Sequence, residues 1–197
     1  TEFLQKLDRK KYSNMILFHK KIIISTITTH IPISKVRSTI LKKNYLFNKI
    51  LSLNNTLKID FNITKPKIYI SGLNPHSGEN GQMGDEELIL VKPVISKLKK
   101  IGINIFGPYS ADSMLLNENA DSVDCFVYLF HDQALIPFKY ISQFTGVNYT
   151  GNLSIIRTSP DHGTAYNLVK TRNFSNKSFI NFFKLVKKIN KNRKMNG

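Results

Sequence analysis

The stretch Cys125-Phe126-Val127-Tyr128-Leu129-Phe130 is apolar or aromatic throughout, and the polar residues His131-Asp132-Gln133 follow it directly. A short, continuous apolar run of this kind predicts a strand that is buried on both faces of a sheet. The single cysteine of the chain, Cys125, lies in this strand and is expected to be buried and chemically inert. The polar residues therefore lie just beyond the end of a buried strand.

Outward from this strand, the chain alternates between strand and helix patterns. Runs rich in β-branched residues at 15–19, 22–29, 67–72 and 103–106 predict further strands, and residues 34–58, 85–101 and 179–189 have the apolar spacing of amphipathic helices. Pro93 is expected to kink the second of these helices. This alternation indicates an α/β fold with α/β/α layers, in which functional loops follow the carboxyl ends of the strands.

Length and composition indicate a globular protein. The chain has 197 residues, of which 41% are hydrophobic, and no apolar run approaches the roughly 18–20 residues needed to span a bilayer. One cysteine excludes an intrachain disulfide and suggests a reducing compartment, so we expect a cytoplasmic protein without a membrane partner. The chain starts with Thr1 instead of methionine, and we expect an amino-terminal portion to be missing.

The net charge of +16, from 29 Lys and Arg against 13 Asp and Glu, leaves two explanations open. A basic surface can bind nucleic acid, and binding would then weaken steeply with salt. However, the lysines are scattered, and Lys, Asn and Ile, which are all abundant, share AT-rich codons. We therefore expect no nucleic-acid partner and keep nucleic-acid binding as the alternative.

Two histidines, His30 and His131, each follow an apolar strand and could meet at one edge of the sheet. Neutral imidazole is a common ligand of divalent metals, although two ordinary hydrogen-bonded histidines would give the same pattern. Asp132 could orient the imidazole of His131 or cap the helix that begins there. The sequence alone leaves these alternatives open.

Several polar residues after His131 suit an anionic ligand. Lys139 and Arg157 supply charge for a phosphate, and Asn148 can orient a hydroxyl or an amine. Lys139 and Arg157 could also be ordinary solvated surface cations. In the segment Asp161-His162-Gly163-Thr164-Ala165, the glycine would let the backbone approach a cofactor.

The glycine-containing loop at residues 73–84 does not match the dinucleotide-binding fingerprint. His76 in this loop could line the site or have no role. Asp112 follows a Gly-Pro pair and could handle a proton or simply stabilise a turn.

Together these segments resemble the 4-hydroxythreonine-4-phosphate dehydrogenase family. The resemblance covers essentially the whole chain and about the carboxyl-terminal 60% of a family member. The matching stretches occur in the family's order: Thr28-Thr29-His30-Ile31-Pro32, Ser71-Gly72-Leu73-Asn74-Pro75-His76-Ser77-Gly78-Glu79, Gly107-Pro108-Tyr109-Ser110-Ala111-Asp112, His131-Asp132-Gln133, Gly146-Val147-Asn148, Ile156-Arg157-Thr158-Ser159 and Asp161-His162-Gly163-Thr164-Ala165.

The resemblance implies an enzyme of pyridoxal phosphate biosynthesis. Such an enzyme oxidises 4-phosphohydroxy-L-threonine with NAD or NADP, and the 3-keto acid loses carbon dioxide to give 3-amino-2-oxopropyl phosphate. It also implies a divalent metal (Zn, Mg or Co), a homodimer with its active site at the subunit interface, and a fold like that of isocitrate and isopropylmalate dehydrogenases. Residues 1–157 would belong to the substrate, metal and dimerisation domain, and residues 158–197 to a returning segment of the cofactor domain.

The resemblance also assigns roles to residues. His30 and His131 match metal-binding histidines, with a third expected just before Thr1. Substrate binding falls to Lys139, Asn148 and Arg157. The residues themselves, and not the resemblance, suggest Asp161, His162 and Gly163 for cofactor binding. They also suggest Asp112 as a catalytic carboxylate that handles a proton or supports the metal, with turn stabilisation as the alternative.

The sequence departs from the family's pattern at several positions. Val169-Lys170-Thr171-Arg172 stands where the family has a glycine-containing turn, Ala134 where it has glycine and Ser154 where it has proline. The missing glycine makes the fit of the cofactor an open question. We expect the chain to be inactive alone, and a decayed, non-catalytic dimerisation subunit is a further alternative.

Overall fold

The computed structural model describes residues 2–116, 120–161 and 176–196 of the chain. The strands of this part are β1 (Asn14–His19), β2 (Ile22–Thr26), β3 (Ile68–Ser71), β4 (Ile105–Tyr109), β5 (Cys125–Tyr128), β6 (Val147–Gly151) and β7 (Arg157–Pro160). Its α-helices are α1 (Glu2–Leu7), α2 (Val36–Ile40), α3 (Tyr45–Asp60), α4 (Lys92–Lys100), α5 (His131–Ser142) and α6 (Lys177–Asn196).

The strands form one mixed sheet in the order β4-β3-β5-β2-β1-β6-β7. Four neighbours, β4, β3, β5 and β2, are parallel, and β1, β6 and β7 extend the sheet by antiparallel pairing. The carboxyl ends of β3, β5 and β2 therefore meet at one edge of the sheet. This edge is where the sequence predicts functional loops.

Helices cover both faces of the sheet, which confirms the layered α/β fold. Alternate residues of β1 point to opposite faces, with Ile16 on the side of α3, α4 and α6 and Leu17 on the side of α5. From α5, Phe138 packs against the second face with no exposed surface. Burial of one such side chain contributes about 2–3 kcal/mol to stability.

Cys125 is fully buried in β5, as predicted. Burial raises the pKa of its thiol far above the ordinary range, and the charge of Asp124 raises it further. The reactive thiolate is therefore disfavoured, which agrees with an inert structural role.

The helix predicted at residues 85–101 begins differently from the expectation. A π-helical turn, Glu87–Val91, leads into α4, and Pro93 lies in the first turn of α4. A proline is tolerated there because its missing N–H has no partner to lose. Leu88, which the helical spacing placed on the buried face, is 41% exposed, and Val94 is buried with Ile95 and Leu98.

The boundary expected between residues 157 and 158 falls at the start of β7, which pairs with β6 in the same sheet. The division into domains stays a prediction. No helix in the described ranges is both long and apolar enough to cross a membrane.

Candidate active site

His30 and His131 lie side by side just beyond the ends of β2 and β5. The two segments remain tied together past the strands, because Thr28 donates to Leu129 O from its backbone N (3.2 Å) and from its hydroxyl (2.8 Å). The two imidazole ring centres are 5.5 Å apart, with an interplanar angle of 50°. Parallel strand pairing thus joins two residues that are 101 positions apart in the sequence.

Each of these imidazoles has a carboxylate at its Nδ1 atom. His131 Nδ1 is 3.0 Å from Asp132 Oδ1, and His30 Nδ1 is 3.5 Å from Glu2 Oε2. A carboxylate at Nδ1 favours the tautomer that carries its proton there, which leaves the Nε2 lone pair available to a ligand. Asp132 orients His131 and makes no side-chain capping bond to α5.

Glu2 is a residue of this site that the sequence analysis missed. It belongs to α1, far from both histidines in the sequence, and no motif marks it. Partial burial would raise the pKa of its carboxyl, but a hydrogen bond from the Thr29 hydroxyl, together with nearby positive charge, lowers it to about 2. Glu2 is therefore ionised beside His30.

The histidine pair has the donor chemistry of a divalent-metal site. A ring centre lies about 1 Å behind its ligating nitrogen, so two imidazoles bound to one tetrahedral ion at about 2.1 Å have centres roughly 5 Å apart. The observed 5.5 Å fits this value to within about half an ångström. Within the described residues, however, no group of three His, Cys, Asp or Glu side chains is close enough to hold an ion.

A cleft of about 430 Å³ opens next to the histidine pair. Its lining residues come from the loop after β3, from the segment after β4 and from the start of α5: Leu73, Asn74, Pro75, His76, Ala111, Asp112, Phe130 and Gln133. Because β3 is the neighbour of β5, the loop with His76 lies beside the segment with His131. Three histidines thus follow the carboxyl ends of three adjacent parallel strands.

Gln133 ties two of these strand ends together. Its Oε1 accepts from Leu129 N (3.0 Å) and from Ser71 Oγ (3.3 Å), and its Nε2 donates to Gly72 O (3.0 Å). In the sequence, Gln133 stands out only as part of the motif His131-Asp132-Gln133. Its position one turn after the end of a buried strand is the signal that could have indicated this role.

Asp112 is exposed and lines the cleft. Its Oδ1 accepts a hydrogen bond from Ser113 Oγ (3.3 Å). The structure thus brings Asp112 to the same cleft as His76.

Asn148 and Arg157 lie on the sheet face that α5 covers. Asn148 pairs with Leu17 on one side and Ser159 on the other, and its buried Oδ1 has no hydrogen-bond partner in the described part of the chain. Arg157 is half-buried, and its Nη1 donates to Thr150 Oγ1 over a long 3.4 Å. Buried polar atoms are nearly always hydrogen-bonded, so the amide oxygen of Asn148 retains the capacity to accept a further hydrogen bond.

Lys139 lies on the same side of the sheet. From the third turn of α5, its Nζ donates to Asp161 O (3.2 Å) and lies 3.9 Å from Asp161 Oδ1. Its ammonium also stands 5.3 Å from the centre of the Phe144 ring. We call Lys139, Asn148 and Arg157 the polar row, because Asn148 on β6 and Arg157 on β7 lie on the sheet face that α5, the helix of Lys139, covers.

The polar row is separated from the histidine pair within one chain. Lys139 follows His131 by eight helical residues, which corresponds to about 12 Å. Asn148 is on β6, three strands from β5, which corresponds to roughly 14 Å. The structure therefore joins the two histidines to each other but not to the polar row.

Asp161 is buried and makes hydrogen bonds to two helices. Its side chain is 3% exposed and accepts from Ser142 Oγ (3.1 Å), and its backbone N donates to Ser178 Oγ (3.2 Å). These bonds join the end of β7 to α5 and α6. His162, Gly163 and the turn at 169–172 lie outside the described residues.

Comparison with known proteins agrees with this architecture. Residues 1–186 match the family described as pyridoxal phosphate biosynthetic protein PdxA. The chain is 38% identical over 169 residues to a 4-hydroxythreonine-4-phosphate dehydrogenase of Bacteroides thetaiotaomicron. The aligned region covers 85% of this chain and 46% of the relative. It is 42% identical over 168 residues to the enzyme of that name from a Sulfurihydrogenibium species, covering 85% and 51%. The chain thus spans about half the length of these relatives.

Solved structures give the same result. A 4-hydroxythreonine-4-phosphate dehydrogenase from Klebsiella pneumoniae superposes with a TM-score of 0.82 at 32% identity, over 95% of this chain and 56% of that one. A terephthalate 1,2-cis-dihydrodioldehydrogenase from Burkholderia xenovorans, at 23% identity and a TM-score of 0.75 over 94% and 59% of the two chains, shares the fold. With the fold, the strand-end histidines and the family match in agreement, the chain belongs to the pyridoxal phosphate biosynthetic protein PdxA family.

Proposed function

We propose that the protein oxidises the secondary alcohol of 4-phosphohydroxy-L-threonine with NAD or NADP, and that the 3-keto acid then decarboxylates to 3-amino-2-oxopropyl phosphate. The observation that carries the proposal is the histidine pair, two imidazoles 5.5 Å apart with a carboxylate at each Nδ1. The names of the relatives support the choice of reaction.

His30 and His131 hold a divalent cation (Zn, Mg or Co) through their Nε2 atoms in this proposal. His76 is the described residue best placed to add a third nitrogen, since it lines the neighbouring cleft, although the resemblance assigned that role to a histidine upstream of Thr1. The cation, when bound, supplies Lewis-acid polarisation of the substrate's oxygen. Asp132 and Glu2 keep the two imidazoles in the required tautomer.

The polar row binds the substrate. Arg157 and Lys139 neutralise the phosphate, and Asn148 accepts a hydrogen bond from the amino group or the hydroxyl. This binding energy fixes the reacting carbon in place for hydride transfer. Asp112, exposed in the cleft, is positioned to exchange a proton with the substrate.

A nicotinamide cofactor, when bound, supplies the hydride acceptor. We assign its binding to Asp161, His162 and Gly163, because the glycine would let the backbone approach it. Because the carboxylate of Asp161 is bonded to Ser142, we assign to Asp161 the anchoring of this segment on α5 and α6.

The proposal includes a homodimer. A four-carbon substrate has its hydroxyl and phosphate only a few bonds apart, whereas one chain separates the histidine pair from the polar row by about 12 Å. A second copy that brings its polar row to the first copy's histidines would resolve this mismatch. The exposed face of α5 offers a surface, with Ile136 and Tyr140 at 70% and 85% exposure and spaced four residues apart, and Phe144, just after the end of the helix, is 59% exposed.

Cobalt titration tests the cation site. We expect Co²⁺ to bind the chain with visible absorption bands, and His30→Ala or His131→Ala to weaken binding at least about tenfold. His19→Gln is the matched control, since His19 is bonded to Thr145 at the far end of β1. Equal binding by all variants would refute the site, and absence of binding by the wild type would favour the decayed subunit.

Mixed dimers test the shared active site. In the protein at its natural length, His131→Ala and Lys139→Met should each abolish turnover. If each site uses both subunits, mixing the two variants should restore about a quarter of the wild-type rate, because half of the dimers then contain one intact site. No recovery in dimers that demonstrably exchange subunits would mean that each site lies within one chain.

A further inference from the structure

One buried carboxylate holds the loop that follows β3. Glu87 is 1% exposed, and its Oε1 accepts from the backbone N atoms of Leu73 (2.7 Å) and Asn74 (2.9 Å). Its Oε2 accepts from Asn74 Nδ2 (3.0 Å). Three donors from the start of the loop thus converge on one side chain, sixteen residues after β3 ends at Ser71.

The loop passes too closely over this carboxylate for larger residues. A Cβ atom on Gly72 would lie 2.9 Å from Glu87 Oε1, and one on Gly78, where φ is +79°, would lie 2.5 Å from Oε2. Both distances are below van der Waals contact. The carboxylate of Glu87 therefore occupies space that only glycine at positions 72 and 78 leaves open.

The loop has an unfavourable backbone conformation that requires such support. His76, Ser77, Glu79 and Asn80 all have positive φ, between 41° and 55°. Non-glycine residues in this region each cost of order 1 kcal/mol and persist only where surrounding contacts impose them. Charge-assisted hydrogen bonds to Glu87, at about 1.5–3 kcal/mol each, are strong enough to offset part of this conformational cost.

The π-helical turn explains why Glu87 points inward. Glu87 is the first residue of the turn, whose wider winding buries Glu87 and Val91 and leaves Leu88 exposed. Turns of this kind occur often at functional sites. The turn thus presents the carboxylate of Glu87 to the loop and the side chain of Leu88 to solvent.

We propose that Glu87 is a positioning residue, whose carboxylate sets the loop at 72–84 so that His76 and Asn74 wall the cleft beside His131. This inference rests on the proposed function, in which His76 ligates the cation. Glu87 itself touches neither substrate nor cation. Its effect on the site passes through the backbone of Leu73 and Asn74.

The adjacent residue provides a matched control. Glu86 accepts from Arg37 Nε and from Asn74 Nδ2 (2.7 Å), but it has no bond to the loop backbone. Glu86 immediately precedes the π-helical turn that Glu87 begins, and both carboxylates accept from Asn74 Nδ2. Only Glu87 fixes the backbone of the loop.

The test compares Glu87→Gln with Glu86→Gln in the full chain. A glutamine can accept from the two backbone N–H groups, but its own NH₂ then faces Asn74 Nδ2, another donor. We expect faster hydrogen exchange at the Leu73 and Asn74 amides and a loss of affinity for Co²⁺ alone of about tenfold or more. Glu86→Gln should change that affinity less than about threefold.

A double variant separates positioning from a general structural effect. If Glu87 acts through His76, adding Glu87→Gln to His76→Ala should weaken Co²⁺ binding no further than His76→Ala alone. Gly78→Ala disturbs the same contact from the loop side and should reproduce the loss of Co²⁺ affinity. It replaces Glu87→Gln in the test if that variant does not fold. Fully additive losses, or equal losses for both acids, would overturn the proposal.

The same experiments distinguish failure of the proposed function from failure of this inference. A wild-type chain that binds no cation refutes the proposed function. The exchange rates at Leu73 and Asn74 still report whether Glu87 holds the loop, and unchanged rates in Glu87→Gln would refute the inference by themselves.

Discussion

Arg193 of α6 donates from Nε to Asp60 Oδ1 at 2.7 Å and thereby joins the last helix to the end of α3. Asp60 is 2% exposed and also accepts from the hydroxyl of Tyr149 on β6. A second guanidinium nitrogen of Arg193 lies 3.0 Å from Tyr149 Oη. The network connects two helices and the sheet through one buried charge.

Removal of Arg193 should therefore destabilise the fold. Arg193→Met leaves the Asp60 carboxylate buried without its cation, and we expect the free energy of unfolding to fall by about 3 kcal/mol. Urea denaturation monitored by circular dichroism measures this change. Lys191→Met, an exposed position on the same helix, is the control and should change stability by less than about 0.5 kcal/mol. Similar losses of unfolding free energy in both variants would show that the buried Arg193–Asp60 pair does not contribute more to stability than an exposed lysine.

Lys49 should make stability depend on alkaline pH. It is 6% exposed in α3, and burial lowers the pKa of its ammonium to about 8. In the unfolded chain the pKa is near 10.4, so between these two values the unfolded state binds more protons. The free energy of unfolding should therefore rise by about 2–3 kcal/mol as pH increases from 8 to 10.5, and below pH 8 the cost of burying the charge is fully present.

Urea denaturation at several pH values tests this slope. Lys49→Met removes the titrating group and should lose the rise, whereas Lys58→Met, exposed on the same helix, should keep it. Tyrosines that titrate in this range affect all three proteins alike. Parallel pH profiles for the wild type and Lys49→Met would contradict the prediction.

The polar row should determine affinity for phosphate. Lys139→Met and Arg157→Met each remove a charged donor, and we expect the affinity of the natural-length protein for its phosphorylated substrate to fall about 10- to 100-fold. Isothermal titration calorimetry measures it. Lys188→Met changes the net charge equally from α6 and should leave affinity within about twofold at physiological salt. An equal loss in that control would indicate a general charge effect.

The exposed face of α5 should control self-association. Tyr140→Glu places a charge on the exposed apolar face of α5 that also carries Ile136, and we expect it to shift a dimer to monomer in sedimentation velocity experiments. Phe179→Glu, at a residue of α6 that is 52% exposed, is the control and should not change the association state. A Tyr140→Glu protein that sediments like the wild type would exclude this face as the interface.

Much of the architecture could be predicted because it depends on local patterns. The apolar run at 125–130 is long enough only for a buried strand, and the structure has β5 there. The second strand ends at Thr26 instead of residue 29, because the backbone of Ile27 and Thr28 turns to bond the end of β5. Such a change depends on the neighbouring strand, which local pattern cannot reveal.

The amino-acid sequence alone determined the α/β class, the burial of Cys125 and the position of His30 and His131 after strands. These features depend on hydrophobic periodicity, which is a local pattern of a few residues. Only the tertiary structure decided that these imidazoles adjoin, that Glu2 and Gln133 support them, and that Lys139, Asn148 and Arg157 lie apart from them. Those relations follow from strand order and helix packing, which are set by contacts between distant segments, such as the pairing of Asn14 with Gly151, 137 positions apart. Periodicity along the chain carries no information about such pairings.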